Sequence, residues 1–171
     1  MTFELPELIT RLGEASGAKI GPGDIKELTI DQAEPGAQAH YVGVSAEDDG
    51  ACIAWITVTQ EDETASGAWI GDIGKACGRN WYNQQEDAGE TKDGKKHTPA
   101  CTWLDGDHNG GKGTPDAAMK FKVHAYGDDT EDTIENDHAC DATVWGGAKG
   151  PIAGMSSPIS LAPLGFERYA S

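Results

Sequence analysis

The segment "AAMKFKVHAY", residues 117–126, alternates apolar and polar side chains with a period of two. On a strand this puts Met119, Phe121, Val123 and Ala125 toward a core and Lys120, Lys122, His124 and Tyr126 toward water. A helix, with its period of about 3.6 residues, would mix the two sets. From residue 27 onward similar short runs recur: "ELTID", "AHYVGVS", "ACIAWITVTQ", "GAWIGDI", "NWYNQ", "CTWLD" and "ACDATVW", separated by polar, Gly-rich breaks. The pattern predicts a mainly β chain, a single domain over residues 1–171 with a β-rich core over 27–165. The expected architecture is an antiparallel β-sandwich or flattened barrel of about eight strands. Ahead of it, "LPELITRLGEASG" places Leu5, Leu8, Ile9 and Leu12 at helical spacing, so a short N-terminal helix and its lead-in are expected over residues 1–17. In the tail, Pro151, Pro158 and Pro163 leave room for one short edge strand around "ISLA".

Charge narrows the partners. Thirteen Lys and Arg face 29 Asp and Glu, for a formal net charge of −16. A chain this acidic has no ready basic face for phosphates, which argues against nucleic acid and anionic membranes and leaves cations, sugars or a protein surface open. No apolar run reaches the roughly 20 residues needed to span a bilayer, so no membrane insertion is expected.

The four cysteines, Cys52, Cys77, Cys101 and Cys140, lack the CxxC spacing of zinc or thioredoxin-like sites. They read as two disulfides in a secreted, extracellular protein given in its mature form, with Met1 added for expression; four reduced, buried thiols are the competing reading. Cys140 shares a strand face with Ala142 and Val144, and Cys52 with Ala54, Ile56 and Val58. Of three possible pairings, Cys52–Cys140 with Cys77–Cys101 is therefore expected.

Two polar stretches are candidates for binding. In "DGDHNGGKGTPD", Asp105, Asp107, Asn109 and Asp116 stand at positions one, three, five and twelve, with Gly110 at six, the ligand spacing of a calcium loop. Calcium is thus the one candidate cofactor. Against it, the flanking "CTWL" and "AAMKFKV" read as strands, and an Asx-rich hairpin connection accounts for the same residues. In "CGRNWYNQQED", Arg79, Trp81 and Tyr82 could form a ligand-binding patch, since an aromatic face stacks on a sugar while polar donors hold its hydroxyls. Adjacent residues point to opposite sides of a strand, so at least one of Trp81 and Tyr82 is expected in the core. Trp55, Trp69, Trp103 and Trp145 read as core or sheet-face aromatics. No catalytic residue can be nominated, because HExxH, GxSxG, SxxK, P-loop and dinucleotide motifs are all missing.

The stretches "GACIAWITVTQ", "KACGRNWYNQQEDAG", "TPACTWLDGDHNGG" and "AAMKFKVHAYG" together resemble a type of small secreted protein of filamentous fungi. In those proteins a Cys-Gly step precedes a Trp-Tyr pair and then a Pro-x-Cys-x-Trp-[Leu/Ile]-Asp turn. The resemblance covers residues 50–127 and implies a secreted, β-rich, disulfide-containing protein of the effector or elicitor class. In similar chains the segment after the Trp-[Leu/Ile]-Asp turn varies in length. The expected function is extracellular binding toward a host, with a host or cell-surface protein or glycan as partner. The alternatives are a calcium-stabilised carbohydrate-binding module and a small acid-active hydrolase.

Overall fold

The structure, a computed structural model, describes residues 18–21, 23–31, 36, 38–60, 66–110, 113–150, 152 and 159–163. The helix expected over 1–17 lies outside these residues. In chain order the elements are β1 (Ala18–Ile20), β2 (Tyr41–Ala46), β3 (Ala51–Ile53), β4 (Trp55–Thr59), β5 (Ser66–Ile70), α1 (Gly71–Ala76), β6 (Trp81–Tyr82), β7 (Gly89–Glu90) and β8 (Lys96–His97). They continue with β9 (Cys101–Leu104), β10 (Ala118–Lys122), a 3₁₀ turn (His124–Tyr126), α2 (Thr130–Glu135), β11 (Trp145–Ala148) and β12 (Ile159–Pro163). The protein is mainly β. Residues 23–31, which include the expected strand "ELTID", form none.

A five-stranded sheet in the order β1-β12-β2-β10-β11 packs one side of the core, to which β3, β5, α1 and β9 also contribute. The alternating segment of the sequence supplies β10, between β2 and β11, and Met119, Phe121 and Val123 are all 0% exposed. Met119 lies across from Val44 on one side and Gly147 on the other, and Phe121 from Val42 and Trp145. Each such large apolar side chain removed from water contributes roughly 1.5–3 kcal/mol. Tyr126 departs from the alternation. Val123 turns helical, the strand ends at Lys122, and Tyr126 is carried inward, where its hydroxyl donates to the Ala139 carbonyl at 3.0 Å. Burial pushes the Tyr126 phenol above its ordinary pKa.

The "ISLA" strand is also placed differently from expectation. As β12 it pairs on both sides, parallel to β1 and to β2, and so is interior to the sheet. The remaining pairings between strands are antiparallel.

The apolar run "ACIAWITVT" breaks at Ala54. β3 joins β9 and β6 in a three-stranded sheet, while among the described residues β4 pairs with β5 alone. Trp69 on β5 is fully buried, stacked 6.2 Å from Trp145 and 6.4 Å from Phe121, and so packs the β4–β5 hairpin against the five-stranded sheet. "GAWIGDI" is therefore only half strand, because from Gly71 the chain becomes the helix α1.

The disulfides pair Cys52 with Cys101 and Cys77 with Cys140, which corrects the expected 52–140 and 77–101 connectivity. Cys140 is not on a strand. It sits in consecutive turns after α2, fixed by Asp141 N–H to the His138 carbonyl and Trp145 N–H to the Asp141 carbonyl, and it is exposed. Cys52 finds its partner on β9, the strand hydrogen-bonded beside its own. The bridges close sequence separations of 49 and 63 residues, each worth about 4 kcal/mol in the chain-entropy account. No helix among the described residues is long and apolar enough to cross a membrane.

Candidate functional site

The strand β6 owes its position to the way α1 ends. Gly78 adopts φ +73°, Gly78 N–H bonds to the Lys75 carbonyl, and Arg79 N–H reaches back to the Gly74 carbonyl. That is a Schellman stop, for which glycine is the least costly residue. The reversal lays Trp81 and Tyr82 beside β9, across from Thr102 and Cys101. The helix itself sits hard on β9. A Cβ at Gly71 would lie 2.2 Å from the Ala100 carbonyl oxygen, and one at Gly74 would lie 2.0 Å from Thr102 Oγ1. Thr102 in turn donates its hydroxyl to the Gly71 carbonyl at 3.1 Å. Gly71 and Gly74 are thus required for contact between helix and strand.

On this frame both aromatics face outward. Trp81 is 38% exposed and Tyr82 39%, so neither is the core residue that their adjacency predicts. A two-residue strand at a sheet edge leaves both of its faces near solvent. Lys75 Nζ stands 3.9 Å from the Trp81 ring centroid, a cation–π contact that covers one indole face. Tyr82 meets Trp103 edge to face, with centroids 5.5 Å apart. One helical turn from Lys75, Asp72 accepts the Ala100 N–H at 2.9 Å and pairs with His97 Nε2 at 2.7 Å. Trp81, Lys75, Asp72 and His97 therefore follow one another across the surface of α1. No local motif announces the last three, since Asp72 and His97 are separated by 25 residues.

Arg79 belongs to a different contact. Its guanidinium lies 3.4 Å from Asp116 and 5.7 Å from the Trp145 ring centroid, which leads it away from the Trp81–Tyr82 pair. Asp116 is 6% exposed, and its other oxygen is 3.3 Å from Lys149, whose ammonium also donates to the Thr114 carbonyl.

This arrangement divides the calcium-loop residues. Leu104 and Asp116 form a parallel bridge, with Asp105 N–H bonded to the Asp116 carbonyl at 2.8 Å. Alternation along the strand then sends the Asp105 side chain to the face opposite Asp116. Asp105, fully buried, accepts the Gly110 N–H at 2.5 Å. Asn109 N–H bonds to Asp107 Oδ1 at 3.1 Å, and the Asn109 amide also donates to Asp107 Oδ2. His108 takes a positive φ of 61° and places Nδ1 3.0 Å from the Pro115 carbonyl oxygen. Burial, followed by the neighbouring Asp107, raises the Asp105 carboxyl above the ordinary aspartate pKa. Among the described residues no group of three or more His, Cys, Asp or Glu side chains is gathered as metal ligands would be.

No protein-family model matches the chain, and neither a curated protein nor a solved structure shows significant similarity to it.

Proposed function

We propose that the protein is secreted and works by binding at a cell exterior, as an effector or elicitor toward a host, with the β6 face as its contact surface. The reading is carried by the exposure of Trp81 and Tyr82 at adjacent positions on an edge strand. The backbone there is fixed by α1, by β9 and by the Cys52–Cys101 bridge. Large aromatics already held in place lose little freedom on binding and supply much of the energy of a contact. Two disulfides suit an oxidising compartment, and the resemblance of residues 50–127 to secreted fungal proteins points to the same setting. In this reading the β4–β5 hairpin and the five-stranded sheet are the two layers of a flattened sandwich. Labelled protein should decorate host surface material, and the W81A/Y82A double variant should lose about tenfold or more in affinity while keeping its Tm. Undiminished binding by that variant would overturn the proposal.

A second reading, a carbohydrate-binding module, is favoured by the row Trp81, Lys75, Asp72 and His97. One indole face is closed by Lys75, leaving the other to stack on a sugar ring, with charged and imidazole groups beside it for hydroxyls. A glycan array separates the two readings. Binding to defined glycans that W81A abolishes supports the module, whereas a silent array with protease-sensitive surface binding supports a protein partner.

A further inference from the structure

The two disulfides stand in different surroundings. Cys52–Cys101 joins β3 to β9, strands already paired by backbone hydrogen bonds, and Cys101 is 4% exposed. Cys77–Cys140 joins the C-terminal end of α1 to the turns after α2, where Cys140 is exposed and Cys77 half-buried. Those turns fix Cys140 at the surface: His138 N–H bonds to the Thr133 carbonyl at 2.9 Å and Asp141 N–H to the His138 carbonyl at 3.0 Å. The segment packs thinly. α2 buries Thr133 alone, and its Ile134 is 51% exposed. Its hydrogen bonds to the sheet and the 3₁₀ turn come late, from the Tyr126 hydroxyl to the Ala139 carbonyl, the Tyr41 hydroxyl to the Thr143 carbonyl and Lys122 N–H to the Val144 carbonyl.

We propose that Cys77–Cys140 is a thiol-exchange site open to an external dithiol, and that its opening releases residues 130–141 while the β core stays folded. A disulfide is broken by a thiolate that reaches one of its sulfurs, so access and the ease of reclosure decide which bridge reacts. One thiolate of the dithiol attacks the Cys140 sulfur, the bond to Cys77 breaks, and Cys77 leaves as a thiolate. The second thiolate then attacks the dithiol's own sulfur in the mixed disulfide, closing the dithiol to its disulfide and freeing Cys140. The bridge gains two electrons and the dithiol loses two, while the dithiol's two protons pass through water to the two cysteines. At Cys52–Cys101 the same attack meets a buried partner, and the β3–β9 ladder would hold the parted sulfurs side by side for reclosure. At Cys77–Cys140 the freed segment carries its sulfur away, and the fall in effective concentration leaves the bridge open. The site stands whatever the β6 face binds.

The test is timed reduction of the native protein by dithiothreitol at neutral pH, quenched with iodoacetamide and read by peptide mass spectrometry. Cys77 and Cys140 should be alkylated together, faster than Cys52 and Cys101 by about tenfold or more. Near-UV circular dichroism from the buried Trp69 and Trp145 should persist at that stage. Hydrogen exchange in the partly reduced protein should rise at the His138 and Asp141 amides and stay slow along β10. Reaction of Cys52–Cys101 first, or of all four cysteines at one rate, would overturn the site. Loss of the circular dichroism signal in step with the opening of Cys77–Cys140, or unchanged exchange over 130–141, would overturn the local release. The C77A/C140A variant should fold with the Cys52–Cys101 bridge intact and show the same raised exchange, and an unfolded variant would contradict a core that stands without the bridge.

Discussion

The β6 face and the 105–110 loop depart from ordinary burial in opposite directions. Around β6 the chain buries glycine backbone and leaves two large aromatics in solvent; in the loop it buries a carboxylate and leaves its apolar surroundings to Trp103. Exposed single hydrophobics are common, and solvated acids more so, but a rigid exposed aromatic pair and a fully buried aspartate are both uncommon. Packing supports the first, since α1 and a disulfide hold β6 whether or not Trp81 and Tyr82 touch anything. The second is held against an electrostatic cost, and the state of the loop should therefore depend on pH. A binding surface is expected to have the first character and a titratable site the second.

Among changes at the β6 face, the largest effect should come from breaking the frame that serves it. Replacing Cys52 and Cys101 together by Ala should cost about 4 kcal/mol in chemical denaturation, given the separation of 49 residues. A loss below about 1 kcal/mol would mean that the staple contributes little beyond the β3–β9 ladder. Next is Gly71→Ala, which drives a Cβ against the Ala100 carbonyl oxygen at 2.2 Å. It should destabilise by about 1–3 kcal/mol and disturb Trp81 fluorescence, because the obstacle is backbone and cannot swing aside.

These contacts also show how far the sequence could be read. The period-two run through Met119, Phe121 and Val123 was legible because strand periodicity is local, and all three are buried. Tyr126 was not, since the turn at Val123 that carries it inward carries no residue signal. "GAWIGDI" reads as one strand, yet its last three residues open α1; Gly71 and Gly74 are poor helix formers, and contact with Thr102 and the Ala100–Cys101 backbone favours the helix there. Cys140 misled for a related reason. Its alternation with Ala142 and Val144 matched a strand, yet the residues form turns stitched by His138 and Asp141, whose side chains meet at 2.7 Å. In the 105–116 loop Asp107 and Asn109 bond to each other, as an Asx-rich turn would have them, whereas Asp116 pairs with Arg79 and Lys149, distant in sequence and invisible to a spacing rule.

On the loop side, Asp105 sets a pH dependence whose sign follows from its raised carboxyl. The folded state holds the Asp105 proton to higher pH than the unfolded chain does. Stability from this group is therefore present at acid pH and is lost as pH rises from the ordinary aspartate range through the folded value. Asp87 runs the other way. Held low by its Thr98 hydrogen bond and by Lys96, it supports the fold above the ordinary range and stops doing so as pH falls. Comparing wild type with Asp107→Asn across pH 3–7 isolates the Asp105 contribution, since the substitution removes a charge facing Asp105. The decline with rising pH should flatten in the variant, and parallel curves would show that Asp105 titrates without regard to Asp107.

The smallest expected effect is the most telling for the comparison. Trp81 and Trp69 are the same residue type in the same half of the chain, one 38% and the other 0% exposed. Trp69→Ala removes a ring stacked against Trp145 and Phe121 and should cost about 3–5 kcal/mol. Trp81→Ala removes a ring already 38% exposed together with its cation–π contact with Lys75, so its cost should stay at about 1 kcal/mol, well below that of Trp69→Ala. If Trp81→Ala approached the cost of Trp69→Ala, the indole would have to be bracing α1 against β6, and its exposure would be incidental to support. A near-neutral Trp81→Ala, measured by the same denaturant titration, leaves the ring outside without a structural role in the folded chain, which is the condition a contact surface requires.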